Sequence, residues 1–193
     1  MEAKVKSYSV VVDLTKVQDQ PKHWDFSLPP DWWEATEGPK HPLLGLVQEL
    51  EAHITLTKVG KRFEVKGQFR TVLKLQCDRC LEVFSSPLDC VFSLILERLP
   101  QELESEEEYE LGPEEMGVDF IKADEVDLTK MVKEQIYLSL PMKALCKEDC
   151  LGLCINCGAN LNQGGCNCKV EQGHPAFQVL KALSLQKIGR AHV

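Results

Sequence analysis

The sequence predicts an α+β fold: an antiparallel β-meander or partly open barrel covered by a helix, with a C-terminal cysteine-rich zinc module and a short terminal helix. Three observations carry that expectation. Between about positions 52 and 96, apolar residues recur at every second position, the period of a strand with one buried face. Beyond an acidic stretch the period lengthens to that of a helix. Eight of the nine cysteines fall into four closely spaced pairs. A length of 193 residues, 44% apolar and 27% charged, allows one substantial core and a small appendage. These are read as a β-rich domain over 1–145 and a zinc module with terminal helix over 146–187.

The run "SYSVVVDL" near the start is an expected strand. The Pro-rich segment "QPKHWDFSLPPDWWE" follows, holding Trp24, Trp32 and Trp33. Two readings of these rings stand: stacking on unpaired bases or a protein partner, or packing a long arm onto its own domain. Ala52, Ile54 and Leu56 then alternate with His53, Thr55 and Thr57, and Gly60-Lys61 turns the chain back. In the next strand Phe63, Val65, Gly67, Phe69, Thr71, Leu73 and Leu75 share the inward parity, with a bulge expected at Gly67. Leu88, Cys90, Phe92, Leu94 and Leu96 mark the following strand, with Cys90 read as a small buried hydrophobe. A sheet of at least four strands results.

From Glu97 to Asp127 there are 13 acidic and two basic residues, a net of −11 in a chain whose total is −8. The centre of this excursion, residues 100–117, is expected as a solvated loop or, alternatively, as a lure for a basic ribosomal protein. A helix is expected over 127–140, with Asp127 as N-cap, Leu128, Met131, Val132, Ile136 and Leu140 on its apolar face, and Pro141 as its stop. A short terminal helix is expected from Pro175 through Leu183. Residues Ile188–Val193 correspond to the codons ATC GGA AGA GCA CAC GTC, which resemble a sequencing-library adapter; they are read as an artefact and left out of the fold argument. With no signal-peptide pattern at the start and no run of about 20 apolar residues, the expected location is the cytoplasm, without membrane contact.

Clustered thiols in a reducing compartment point to metal ligation rather than disulfides. Cys154, Cys157, Cys166 and Cys168 have the spacing C-x2-C-x8-C-x-C, and the two-residue gap lets the backbone curl so that both sulfurs face one ion. These four are the expected ligands of a structural zinc site. Cys77, Cys80, Cys146 and Cys150 are candidates for a second; the competing reading is a single site that draws on Cys146 or Cys150 and leaves the others as free thiols. The expected cofactor is therefore one or two structural Zn2+ ions.

Catalytic signatures are missing from the sequence: it carries no G-x-S-x-G elbow, HExxH, Walker loop or dinucleotide fingerprint. Cys77-Asp78-Arg79-Cys80 as a thiol oxidoreductase centre is the least favoured class, because such a motif needs a helix N-terminus after a parallel strand. A non-enzymatic protein with no small-molecule substrate is expected. From Lys58 to Arg79 seven basic and two acidic residues give a net of +5. Lys66, Arg70, Lys74 and Arg79 are the candidate RNA or partner contacts, against the alternative of a solubilising exposed face.

The segments "LKLQCDRCLEVF", "DEVDLTKMVKEQIYLSLPMKALC", "KEDCLGLCINCGANLN" and "HPAFQVLKAL" resemble, in order, the blocks of the YceD family, bacterial and plastid proteins linked to accumulation of large-subunit ribosomal RNA. The resemblance runs over about residues 50–185. It implies a non-enzymatic factor in synthesis, processing or assembly of that RNA, with precursor RNA or its assembly proteins as partners. It also implies that Cys77, Cys80 and the intervening Arg79 lie on a shared functional surface, while zinc stabilises the C-terminal segment. A zinc-stabilised protein adaptor without RNA contact is the alternative function.

Overall fold

A computed structural model describes residues 8–99 and 117–168. Most of the acidic excursion, the expected terminal helix and residues 188–193 lie outside the described residues.

The described chain forms β1 (Val11–Asp13), β2 (Lys22–Leu28), α1 (Pro30–Thr36), β3 (Leu43–Leu46), β4 (Leu50–Val59), β5 (Arg62–Gln76), β6 (Val83–Arg98), β7 (Val118–Ile121), β8 (Glu125–Asp127) and α2 (Leu128–Leu138). The expected meander is present as β4-β5-β6, antiparallel throughout. Its inward parity is the predicted one: Phe63, Val65, Phe69, Leu73 and Leu75 are all buried, as are Ala52, Ile54 and Leu56. Gly60, with φ +63, and Lys61 form the β4–β5 turn, a conformation that glycine adopts without a Cβ clash.

Six strands form an open sheet in the order β2-β4-β5-β6-β7, not a closed barrel. β6 pairs with β5 from Arg62 to Gln76, so β4 and then β3 share the opposite edge of β5. Two sequence expectations are corrected, and one pairing is new. The N-terminal strand does not join the main sheet; β1 pairs with β8 in a separate two-stranded sheet, and the tryptophan segment supplies the fourth meander-side strand as β2. No bulge occurs at Gly67, whose register with Ile54 and Phe92 is unbroken. A Cβ on Gly67 would lie 2.2 Å from the Phe92 ring, so the glycine makes room for an aromatic side chain and does not bend the strand. The irregularity sits instead between Leu43 and Gly45. Finally, β7 pairs with β6 in parallel, a crossover that no local pattern announces.

Trp32 and Trp33 are buried, so they pack their own domain and are not available to stack on bases. Both belong to α1, and Trp33 lies 5.4 Å from the Tyr137 ring of α2. Asp127 caps α2 as expected, its carboxylate accepting from the Thr129 amide, and Leu128, Met131, Val132 and Ile136 enter the same core as Phe92 and Leu96. Glu37, at the end of α1, is 2.8 Å from both Lys40 and Lys133 and accepts from the Tyr137 hydroxyl, which ties the two helices together. No helix of the described residues is long and apolar enough to cross a membrane.

Candidate metal centres

The β5–β6 hairpin ends in a cysteine knuckle. Cys77 follows the last residue of β5, its amide donating to the Glu82 carbonyl, and the Leu81 amide closes the turn onto the Cys77 carbonyl. Leu81 takes φ +61, which the tight turn imposes on a residue with a side chain. Cys146 and Cys150 reach this tip from the chain that follows α2. The Cys77 and Cys150 sulfurs are 3.8 Å apart, and those of Cys80 and Cys146 are 3.6 Å apart. Tetrahedral zinc–thiolate bonds of about 2.3 Å place sulfurs about 3.8 Å from one another, whereas a disulfide needs about 2.05 Å. The donor set and its spacing therefore fit a four-thiolate metal site.

A second group gathers Cys154, Cys157, Cys166 and Cys168, and within each group all four sulfurs lie within 4.8 Å of one another. Its knuckle is built by the Gly158 amide donating to the Cys154 carbonyl, with Gly158 at φ +73, and by the Cys154 amide donating to Ala159. Cys154 and Cys168 are 14 positions apart in the chain, whereas Cys77 and Cys150 are 73 apart. The first group thus draws its sulfurs from both the sheet and the C-terminal module, and the second is local to the module.

The thiols are in electrostatic conflict with one another. Burial pushes Cys77 up, but the amides of Cys146, Cys80 and Arg79 outweigh it and bring the thiol down to about 6. Burial and the neighbouring thiols push Cys146 up to about 12. In the second group the amides of Cys157 and Asn156 bring Cys154 down to about 6, while hydrogen bonding to Cys157 and burial push Cys168 up to about 12. Four touching sulfurs cannot all carry negative charge unless a cation sits among them. With four thiolates bound, such a cation has no open position for substrate or water.

The hairpin tip and the module are also stitched by polar contacts that the sequence did not reveal. The Asp78 carboxylate accepts from the Ala144 amide at 2.6 Å and lies 3.1 Å from His41. Arg79 donates to the Cys150 carbonyl at 2.9 Å and accepts, through its own carbonyl, from Leu153. Gly152, at φ +77, lets the chain pass the Arg79 backbone, where a Cβ would come within 3.1 Å of the carbonyl oxygen. Asn162 donates to the Cys150 sulfur, and Asn160 and Gln163 both donate to Glu82. The "GANLN" run after the knuckle was the available signal for the two asparagines.

Comparison with known proteins places the chain in a family. A family profile described as "Large ribosomal RNA subunit accumulation protein YceD" matches residues 65–184. The chain belongs to the YceD family. It is 28% identical over 159 residues to "Large ribosomal RNA subunit accumulation protein YCED homolog 1, chloroplastic" of Arabidopsis thaliana, covering 71% of this chain and 49% of that protein. It is 31% identical over 138 residues to the like-named protein of Zea mays, covering 60% of this chain and 47% of that protein. The chain thus spans about half the length of the curated relatives it matches. No solved structure matches.

The YceD match takes in all eight clustered cysteines and the four basic candidates. Those four do not form one uniform patch. Lys66, Arg70 and Lys74 point outward from β5, but Lys66 lies 2.7 Å from Glu64, and Arg70 is paired in register with Glu51 on one side and Asp89 on the other. Lys74 faces Gly45 and Ser85. Arg79 is at the hairpin tip, apart from the other three, where it holds the module. Cys90 is half-buried and accepts from the Ser139 hydroxyl at 3.4 Å.

Proposed function

We propose that this chain is a non-enzymatic factor supporting accumulation, processing or assembly of large-subunit ribosomal RNA, with one structural zinc ion in each four-cysteine group. Family membership across residues 65–184 carries the first part. Two groups of four thiols, each with all sulfurs within 4.8 Å, and sulfur pairs at 3.8 and 3.6 Å in the first, support the second. The proposed compartment is the bacterial cytoplasm or the plastid interior, the latter in keeping with two relatives named chloroplastic. A thiol oxidoreductase is disfavoured physically, because Cys77 is 0% and Cys80 4% exposed and a disulfide substrate has no route to either sulfur.

A second reading, an adaptor that reaches the RNA only through other proteins, is favoured by the acids beside Lys66 and Arg70 and by the net charge of −8. One experiment separates the two. The tagged full chain is isolated from cells after ultraviolet crosslinking, and zinc per chain and bound RNA are measured on the same sample. Two zincs and crosslinked large-subunit RNA, lost when Lys66, Arg70 and Lys74 are all changed to Glu, support direct contact. Large-subunit proteins without crosslinked RNA support the adaptor, and neither would overturn the ribosomal reading.

A further inference from the structure

A groove of about 660 Å³ lies where the inner face of β6 runs out from under α2. Its apolar lining is exposed Val11 with half-buried Leu94, Phe120 and Ile121, over the buried Leu96, Val126 and Met131. Its rim carries Asp119, Glu125, Asp127 and Glu134 against a single cation, Lys130. Asp127 is engaged as the α2 cap, with Ser9 and Thr129 as donors. No ion pair among the described residues uses Asp119, Glu125 or Glu134.

The groove also marks both ends of the acidic excursion. Leu99 donates to the Ile121 carbonyl at 2.9 Å just before the chain leaves, and it returns at Gly117 into β7. The intervening residues 100–116 hold eight acidic side chains and no basic one. β7 is the edge strand of the main sheet. A polyphosphate such as RNA is repelled by such a rim, while a cationic chain is attracted.

We propose that this acid-rimmed groove docks a lysine- or arginine-rich segment of another protein whose alternating apolar side chains rest on Val11, Leu94, Phe120 and Ile121. The charge complementarity fixes the sign of the partner and the apolar lining fixes its amphipathic pattern. The chain's own residues 169–187 are also cationic, with three basic residues and one acidic. They follow Cys168 in the module, which is anchored at the Val83 end of β6, and 11 residues of strand separate Val83 from Leu94, about 36 Å. An extended tail of that length could cover the distance, so charge separates the two occupants: a few basic residues in the tail match the acidic rim sparsely, and a lysine- or arginine-rich external segment matches it better. The inference stands apart from the ribosomal RNA reading, since it is tested without RNA.

The probe is a dye-labelled 16-residue peptide alternating Lys with Leu and Val, compared with one in which Ser replaces Leu and Val, and anisotropy is measured against the full chain. The amphipathic peptide is expected to bind at least tenfold more tightly than the serine control. Asp119→Lys with Glu134→Lys should weaken it at least tenfold, and Asp89→Lys on the opposite face of the sheet less than twofold. Lys130→Glu should tighten binding, an outcome that a folding defect would not produce. Equal affinity for the two peptides, equal loss in the Asp89 variant, or weaker binding by the Lys130 variant would overturn the proposal. So would a photo-crosslinker at Phe120 that reacts with residues 169–193, or with a second copy of the chain, and is not displaced by the peptide.

Discussion

Cys80→Ser and Cys157→Ser remove one sulfur each from sets with the same donor chemistry, yet their effects on the sheet should differ. A metal bound by Cys80 and Cys146 closes a loop of 66 residues between the hairpin tip and the module. On the cross-link entropy model, opening such a loop restores about 4 kcal/mol of freedom to the unfolded chain. Cys154 and Cys168 span only the module, so loss of that metal leaves the sheet's own loops as they were. The chain supplies a probe that separates the two effects: its three tryptophans, Trp24, Trp32 and Trp33, all lie in β2 and α1 and none lies in the module. With a urea dependence of about 2 kcal/mol per molar, the tryptophan unfolding midpoint of zinc-loaded Cys80→Ser should fall by about 2 M. Cys157→Ser should leave it within about 0.3 M while reducing bound zinc to one per chain. Chelation of the wild-type protein should reproduce the larger shift, which keeps the reasoning testable if Cys80→Ser does not fold. An equal shift in the two variants would refute the division into a bridging and a local site.

Three further outcomes follow from the packing. Glu37 is held down to about 2 by Lys133, Lys40 and Tyr137, so its charged form adds stability above its unfolded value of 4.5 and loses it as pH falls toward 2. Glu37→Gln should therefore cost about 1–2 kcal/mol at pH 7, after allowance for partial solvent access, and flatten the stability profile between about pH 5 and 2 in chemical denaturation. Gly67→Ala forces the Phe92 ring from its site and should destabilise by about 1–3 kcal/mol, with Phe92→Leu in the same chain recovering part of the loss; a stabilised Gly67→Ala would contradict the close approach. Asp127→Ala removes the α2 cap and should lower stability by about 1 kcal/mol by urea titration, whereas Asp127→Ser should retain most of it.

The sequence made the meander and α2 legible because each follows from a local period: two in β4, β5 and β6, and helical spacing from Leu128 to Ile136 behind an aspartate cap. The cysteine pairs were legible for the same reason, since a knuckle is a local spacing. How the pairs combine is not local. Cys77 meets Cys150 across 73 residues, and only the hairpin that carries Cys77 to the far end of β5 explains the encounter. The β6–β7 parallel pairing and the β1–β8 sheet are likewise long-range, and their strands of three or four residues are too short to show a period. Gly67 was read with the right anomaly and the wrong cause. A glycine in a strand marks either a bulge or a close neighbour, and the deciding ring, Phe92, lies 25 residues away.

The basic run from Lys58 to Arg79 shows how a count along the chain differs from a charge in space. In an antiparallel sheet each outward side chain is flanked by residues of two other strands, and here those strands bring acids. Arg70 lies between Glu51 and Asp89, Arg62 is 2.7 Å from Glu97, and Lys66 is 2.7 Å from Glu64 on its own strand. Each such pair weakens the local positive potential that would displace counterions from a phosphate backbone. Seven unpaired cations would give an RNA affinity falling with salt at a logarithmic slope of about −5 for a single strand, at about −0.7 per phosphate. With three of the seven cations paired to acids, four remain, and the slope for large-subunit RNA fragments between 50 and 200 mM salt should be no steeper than about −3. Changing Lys74 to Ala should remove a larger share of that slope than changing Arg70. A slope steeper than about −4 would mean that the acids move aside on binding, and that the outer face of the sheet is a stronger RNA surface than its resting charge pattern allows.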